Sequence, residues 1–395
     1  MEAFDYPLPD SAIAIYPKEQ RHETRFLVFN KGRITEHGMP ELETVIPQHT
    51  CFIANNSKVI PARIKGFVIN HKRLELFVLH TVSKSTHAQT ALCQCLVGGL
   101  KHWPQHQKLE RTLKSIRLCA NFISPHPKEG AMIEFKWQAA QELSWELVLE
   151  TFGEIPIPPY LKRDSEAIDA SRYQTVYAQH RGSVAAPTAG LHFSQHHITA
   201  LIQKKHRFEW LTLHVGPGTF KPVKTPHWNA HIMHEEPFQV SKTCIETLLA
   251  TPRNQICAIG TTSLRTLESL FWMAVQINTH GIRPDEPIVI PQDLCQTLAD
   301  KVPQAFNAWQ VILNWMQLHQ LDCIYAHTAL MIHPQYKIQT AGLLWTNFHQ
   351  PRSTLLMLVE ACIGPEWKTL YNTALKIGFK FLSYGDACLL YINER

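Results

Sequence analysis

Five short stretches hold most of the residue types in this chain that could do chemistry. Four are Ala186-Pro187-Thr188-Ala189-Gly190-Leu191-His192-Phe193, Thr212-Leu213-His214-Val215-Gly216-Pro217-Gly218-Thr219-Phe220, Gly260-Thr261-Thr262-Ser263-Leu264-Arg265 and Thr346-Asn347-Phe348-His349-Gln350-Pro351-Arg352-Ser353. Each sets small residues, which let a backbone approach a ligand, beside hydroxyl, imidazole or amide groups that can orient it. One such stretch is an ordinary loop; four in one chain point to a single composite site for a polar, nucleoside-like substrate. The fifth, Ser383-Tyr384-Gly385-Asp386, places an acid at a glycine break between two apolar runs. A carboxylate there is costly unless it is used or paired.

Taken one at a time, these stretches leave alternatives open. Gly260-Thr261-Thr262-Ser263 precedes a helical pattern, where free backbone N–H groups favour carboxylates and phosphates. It has neither the lysine of a triphosphate loop nor a Gly-x-Gly-x-x-Gly pattern, so a tight turn fits as well. Arg265 reads as a clasp for a substrate carboxylate or as a surface salt bridge. His214 shares a strand face with Thr212, opposite Leu213 and Val215, and that polar face needs partners. Met233-His234-Glu235-Glu236 offers a base or a ribose-hydroxyl acceptor, or is a charged exposed loop. Of the 23 histidines, His196-His197 and the pair His231 and His234 could suggest a metal but lack a third ligand at a recognised spacing, so structural roles are favoured over metal binding.

The elements that must carry these groups read as α/β. Phe26 to Phe29 is a strand, Lys31-Gly32 a turn, and Arg33 to Thr35 a return strand. Cys51 to Ala54 is another apolar run, ending in the polar loop Asn55-Asn56-Ser57-Lys58. Between Val59 and Leu149 short alternating runs predict a small antiparallel β-barrel or sandwich inserted into the α/β chain. The expected division is 1–58 and 151–395 as one α/β domain with a mixed sheet, and 59–150 as the inserted barrel. Glu154 to Tyr160 makes a stiff, proline-rich connector. Ser194 caps a helix running to about His206, and Trp210 to Val215 is a strand. Ile256 to Ile259 is a buried strand leading into a helix with Leu264, Leu267, Phe271 and Ala274 on one stripe. Leu343 to Trp345 is a further strand, and Ser353 caps the helix after it. The stretch 278–322 interrupts this grammar and reads as a loop followed by a helical surface elaboration.

Composition bounds the class. The chain has 395 residues, 45% hydrophobic and 18% charged, with a formal net charge of +5. That is a globular balance, and the mild basicity permits nucleic-acid binding without demanding it. No apolar run reaches a membrane span, and Met1-Glu2-Ala3-Phe4-Asp5 does not open a signal peptide. The ten cysteines form no Cys-x-x-Cys pair and read as free thiols in a reducing cytosol.

At these motifs the chain closely resembles the S-adenosylmethionine:tRNA ribosyltransferase-isomerase family of queuosine biosynthesis. The likeness also takes in Phe4-Asp5-Tyr6, Asn55-Asn56-Ser57-Lys58-Val59-Ile60-Pro61-Ala62-Arg63, Ile157-Pro158-Pro159-Tyr160 and Tyr173-Gln174-Thr175-Val176-Tyr177, and so spans nearly the whole sequence. The resemblance implies an enzyme, here of the longer form, that moves and isomerises the ribosyl part of S-adenosylmethionine. The acceptor is 7-aminomethyl-7-deazaguanine at the tRNA wobble position, and adenine and methionine are released. It implies a cytoplasmic protein, read as a monomer, whose ribosyl donor is a substrate and which needs no metal and no membrane.

Carried onto this chain, His192, His214, His234, His349 and Asp386 supply acid–base groups. Thr188, Ala189, Gly190, Phe193, Gly216, Gly218, Thr219 and Phe220 shape the nucleoside pocket. Thr261, Thr262, Ser263, Arg265, Asn347, Ser353 and Tyr384 hold the rest of the substrate. Arg63, Lys101, Lys108, Arg172 and Arg181 are candidate tRNA contacts. Pro334-Gln335-Tyr336 departs from the family's Pro-Gly-aromatic step, which predicts a reshaped loop. The alternatives are a relative with an altered acceptor and a tRNA-binding relative without catalysis. A methyltransferase is disfavoured by the missing nucleotide loop.

Overall fold

The computed structural model describes residues 1–395 apart from 105–106, 128, 217, 219–222, 224, 226 and 395. Its centre is a ten-stranded mixed sheet. Four neighbouring strands, Arg207–Leu213, Cys51–Asn55, Ile256–Ile259 and Leu343–Asn347, run parallel. The last three are buried at every residue, as the β-branched and aromatic runs of a sheet covered on both faces require. Because the strands are parallel, the loops that leave Leu213, Ile259 and Asn347 emerge at one edge. Ligand loops in open α/β sheets gather at that edge. Ala387–Tyr391, Arg25–Asn30 and Arg33–Gly38 complete the sheet on the Leu343–Asn347 side.

The second sheet is antiparallel and has seven strands, drawn from residues 63–154. Strict alternation of buried and exposed residues in Ala131–Gln138 gives it one inner face, packed around Phe67, Leu76, Phe135 and Trp137. The helix Trp145–Phe152 lies against that face. The sheet curls into a half-barrel. Its strands Leu109–Leu113 and Arg63–Ile69 approach through Arg111, whose Nη1 donates to the Lys65 carbonyl at 2.6 Å. No backbone ladder joins those two strands among the described residues.

Five expectations about elements change. Ser57–Val59 is a short strand rather than loop, paired in parallel with His180–Ser183. The helix after Ser194 stops at Gln203; Ser194 Oγ accepts from the His197 N–H at 3.2 Å. The next strand ends at Leu213, so His214 and Val215 lie just past it. In the 278–322 stretch, Val289–Ile290 adds a parallel edge strand beside Cys323–Thr328. The helix Ala308–Leu318 is more than a surface addition, because Ile312 and Met316 are fully buried in the main core.

The departure at Gln335 has a simple backbone account. The Tyr336 N–H donates to the His333 carbonyl at 2.8 Å, which closes a β-turn over Pro334-Gln335. Gln335 does not have a positive φ. A turn with glycine in third place can use the left-handed region, whereas here the turn takes the form open to any residue. Tyr336 then anchors the loop by donating to buried Glu268 at 2.7 Å.

Candidate active site

Three cavities run together at the loop edge of the large sheet. The largest, of about 740 Å³, is lined by Thr188 and Ala189, Val215, Thr261 and Thr262, and Asn347, His349 and Ser353. All four motifs therefore meet in one cleft. Tyr160, Tyr173, Leu382 and Ser383 complete its wall. A second cavity, of about 310 Å³, shares Ser383 with it and is lined by Lys18, Arg21, Thr24, Arg172, His192 and Tyr384. A third, of about 710 Å³, shares Thr261, Thr262 and Leu355 and holds Gly218, His234, Glu236 and Arg265.

Asn347 forms the wall between the first two cavities. It ends its strand 2% exposed, and its Nδ2 donates to the Leu382 carbonyl and to His192 Nε2, both at 3.0 Å. The carbonyl can only accept, which fixes the amide's orientation. His192 Nε2 is then an acceptor, so the neutral ring carries its proton on Nδ1, towards Thr24 Oγ1 at 3.2 Å. Burial pulls the His192 pKa down to about 4. The field of Asp386 opposes that shift, and Lys18 and Arg21 add to it. His349 is pulled down to about 3 by burial, with Nε2 2.9 Å from Thr346 Oγ1. Both imidazoles are thus neutral at pH 7.

This burial has a testable cost. In the unfolded chain each ring protonates near pH 6.5, but in the fold only near 4 or 3. Between those values the unfolded state binds more protons, so stability falls as pH drops below 6.5, by about 1.4 kcal/mol per pH unit per ring. Glu268, raised above the ordinary carboxylate range by burial, offsets part of this. Urea midpoints should therefore decline steeply from pH 6.5 to pH 4.5; a flat profile would show that these rings are not held neutral.

The loop that faces Asn347 is strained. Leu382 has φ +69°, a conformation that costs a β- or γ-branched residue about 1–3 kcal/mol. Gly385 allows the chain to turn back, since a Cβ there would sit 2.4 Å from the Lys380 carbonyl oxygen. The strain aims the Leu382 carbonyl at Asn347. Thr262 Oγ1 is buried in the wall shared by two cavities and has no hydrogen-bond partner among the described residues. A substrate hydroxyl would satisfy it. Thr262→Val should leave thermal stability within about 0.5 kcal/mol. The same change should raise KM for the bound substrate about tenfold. An unchanged KM would remove Thr262 from the site.

The family model described as queuosine biosynthesis protein matches residues 1–390. The chain belongs to the queuosine biosynthesis protein family. Relatives named S-adenosylmethionine:tRNA ribosyltransferase-isomerase include one from Dichelobacter nodosus, 32% identical over 98% of this chain and 94% of that protein. Another, from Moorella thermoacetica, is 34% identical over 99% of each chain. A crystal structure of S-adenosylmethionine tRNA ribosyltransferase from Thermotoga maritima is 25% identical, covers 98% of this chain and 99% of that one, and has a TM-score of 0.47.

Within this queuosine-family chain, several residues expected at the site do other work. Asp386 lines none of the three cavities. It pairs with Lys18 and accepts from the Arg25 and Lys380 backbone N–H groups at 3.2 and 2.8 Å. Arg265 is not free to clasp a carboxylate: it pairs with buried Glu236 and donates to the carbonyls of Leu330, Thr328 and His234. Glu236 in turn accepts from the Gly216 N–H at 2.8 Å, so within the expected exposed loop, where His234 and Glu235 are indeed exposed, Glu236 alone is a buried clamp on the glycine turn. Ser263 Oγ bonds back to the Ile259 carbonyl, and Phe193 packs in the aromatic core against Phe52 and Trp345. Gly190 makes room for Tyr177, whose hydroxyl would lie 2.0 Å from a Cβ.

The remaining candidates sit as follows. His214 lies beside Gly182, with Nδ1 unpartnered among the described residues, outside all three cavities. Thr219 and Phe220 lie outside the described residues. Of the proposed tRNA contacts, Lys101 and Lys108 are exposed. Arg63 pairs with Glu75 and Arg181 with Glu150, while Arg172 lines the second cavity. Among the described residues no group of three or more histidine, cysteine, aspartate or glutamate side chains is placed to hold a metal ion, and no helix is long and apolar enough to cross a membrane.

Proposed function

We propose that this chain transfers and isomerises the ribosyl part of S-adenosylmethionine onto 7-aminomethyl-7-deazaguanine in the tRNA anticodon, giving epoxyqueuosine-tRNA, adenine and methionine. The observation that carries the reading is the meeting of all four motifs in one cleft beside two buried neutral imidazoles. The names of the relatives support the choice of donor and acceptor.

The chemistry suits this wall. A sulfonium acidifies the neighbouring ribose carbon, so a neutral base can take its proton and adenine can leave. The acceptor amine then attacks the sugar, and displacement at the carbon bearing sulfur closes the epoxide and frees methionine. His349, in the main cleft, and His192, once a substrate draws the Asn347 amide off its Nε2, are the proton acceptors of this scheme. Thr188, Thr261 and Thr262 orient sugar hydroxyls, and Asn347 keeps His192 in one tautomer. His234, in the third cavity, is the remaining acid–base group. We assign residues 1–58 and 151–395 to the chemistry and 59–150 to the tRNA, which must present one extruded base. The protein acts in the cytoplasm, as a monomer and without metal.

Incubation with S-adenosylmethionine and precursor-bearing tRNA tests the reading. Equimolar adenine and methionine are expected. S-adenosylhomocysteine would indicate methyl transfer instead, and binding without turnover an inactive relative.

A further inference from the structure

The second cavity carries more positive charge than the fold neutralises. Lys18 pairs with Asp386. Among the described residues Arg21 hydrogen-bonds only to carbonyl oxygens, those of Leu191 and of Gln174, the latter at 2.9 Å. Arg172 likewise donates to the carbonyls of Glu19 and Lys18, at 3.0 and 2.6 Å. Tyr384, in the same wall, donates to Asp169, but both oxygens of that carboxylate are taken by Arg163 at 2.7 and 2.8 Å. Burial, then the like charge of Arg172, holds Arg21 below the ordinary guanidinium range, and no carboxylate figures among the charges acting on it.

Two guanidiniums facing neutral acceptors retain unused donors and an uncompensated charge. A pocket with that cationic lining suits a small oxyanion. Its position narrows the source. It shares Ser383 with the main cleft and is divided from it by the His192–Asn347 pair. The two cavities meet only at Ser383, so an anionic group on a molecule in the cleft would reach the second one past that residue.

We propose that Arg21 and Arg172, beside the Asp386-paired Lys18, form an oxyanion subsite that anchors a substrate while its sugar lies in the main cleft. The anion is the carboxylate of the donor's amino-acid tail or a phosphate of the acceptor RNA. This rests on the ribosyl-transfer reading for its substrates, but the subsite itself can be read without turnover.

The probes are inorganic phosphate and L-methionine, titrated calorimetrically into the full-length protein. At least one should bind saturably, and Arg172→Gln should weaken it about tenfold or more, the size of a lost charge-assisted hydrogen bond. Because Arg172 also holds the 18–19 backbone, Arg172→Lys is measured beside it. It keeps the charge without the fork and should bind at an intermediate level with an unchanged thermal midpoint. Absence of saturable binding by either probe, or wild-type binding by the glutamine variant, overturns the proposal. In turnover, a raised KM for S-adenosylmethionine assigns the carboxylate. A raised KM for tRNA, with a log–log salt slope shallower by about 1, assigns a phosphate. If neither KM moves, the subsite is refuted. A wild-type protein that releases no adenine refutes ribosyl transfer instead, and leaves the titrations as the test of the subsite.

Discussion

Asn347→Asp is expected to lower turnover by about 10²–10³-fold, the scale of losing one well-placed donor. The substitution keeps the shape of the wall but replaces an NH₂ group that donates to His192 Nε2 and to the Leu382 carbonyl. An aspartate can only accept, so it sets a negative charge against the lone pair of His192 and against a carbonyl. The ring's proton affinity then rises, because an opposite charge favours imidazolium. The acid limb of the pH–rate profile should therefore move to higher pH. Asn347→Ala gives the control: it leaves His192 Nε2 unpaired at a cost of about 1–3 kcal/mol in stability, without moving that limb upward. An aspartate variant with near-normal turnover and an unmoved acid limb would mean that His192 takes no part.

Asp386→Ala is expected to act first on the fold. The carboxylate is 2% exposed, pairs with Lys18, and ties the backbone N–H groups of Arg25 and Lys380. Removing it leaves two partly buried backbone donors and one partly buried cation without their acceptor. Breaking a fully buried pair costs about 3–5 kcal/mol; because Lys18 is 27% exposed, about 2–4 is expected here. The thermal midpoint should fall by several degrees, and turnover per folded molecule should fall less than for Asn347→Asp. Asp386→Asn should lie between the two, since its oxygen can still accept one backbone N–H. Abolished turnover in an alanine variant that melts like the wild type would place Asp386 in the chemistry and contradict the clamp.

The difference between Asn347 and Asp386 shows what can be read from residue types alone. Gly-rich and hydroxyl-rich stretches at the ends of apolar runs mark strand ends, and parallel strands carry their ends to one edge. The meeting of Val215, Thr261, Asn347 and His349 in one cleft follows from that. What local sequence does not carry is the identity of a partner hundreds of residues away. Asp386 looked costly in its apolar setting, as it is, but its partner Lys18 lies 368 residues away, in a segment with no motif. Arg265 has the same history: its salt bridge was legible as a possibility, while burial of Glu236 was not, because charged residues at loop ends are normally solvated.

The elements follow the same logic. Alternation in Ala131–Gln138 gives both the strand and its buried face. It does not give the curl of the sheet, which brings Arg111 to the Lys65 carbonyl from a strand far along the chain. The helical stripe in Ala308–Leu318 was visible, but a stripe shows only that something covers it, and the cover here is the main core. Lys18 and Arg21 gave no signal, since isolated cations in a polar stretch read as solvated. Their shared cavity appears only when the N-terminal segment folds against His192 and Tyr384.

The most direct test of ribosyl transfer follows the sugar itself. S-adenosylmethionine labelled with ¹³C in the ribose is incubated with this protein and precursor-bearing tRNA, and the wobble nucleoside is analysed by mass spectrometry after digestion. The account predicts that the labelled sugar carbons appear on that nucleoside. A labelled methyl group there from methyl-labelled donor, or no label while the protein binds both substrates, would contradict it.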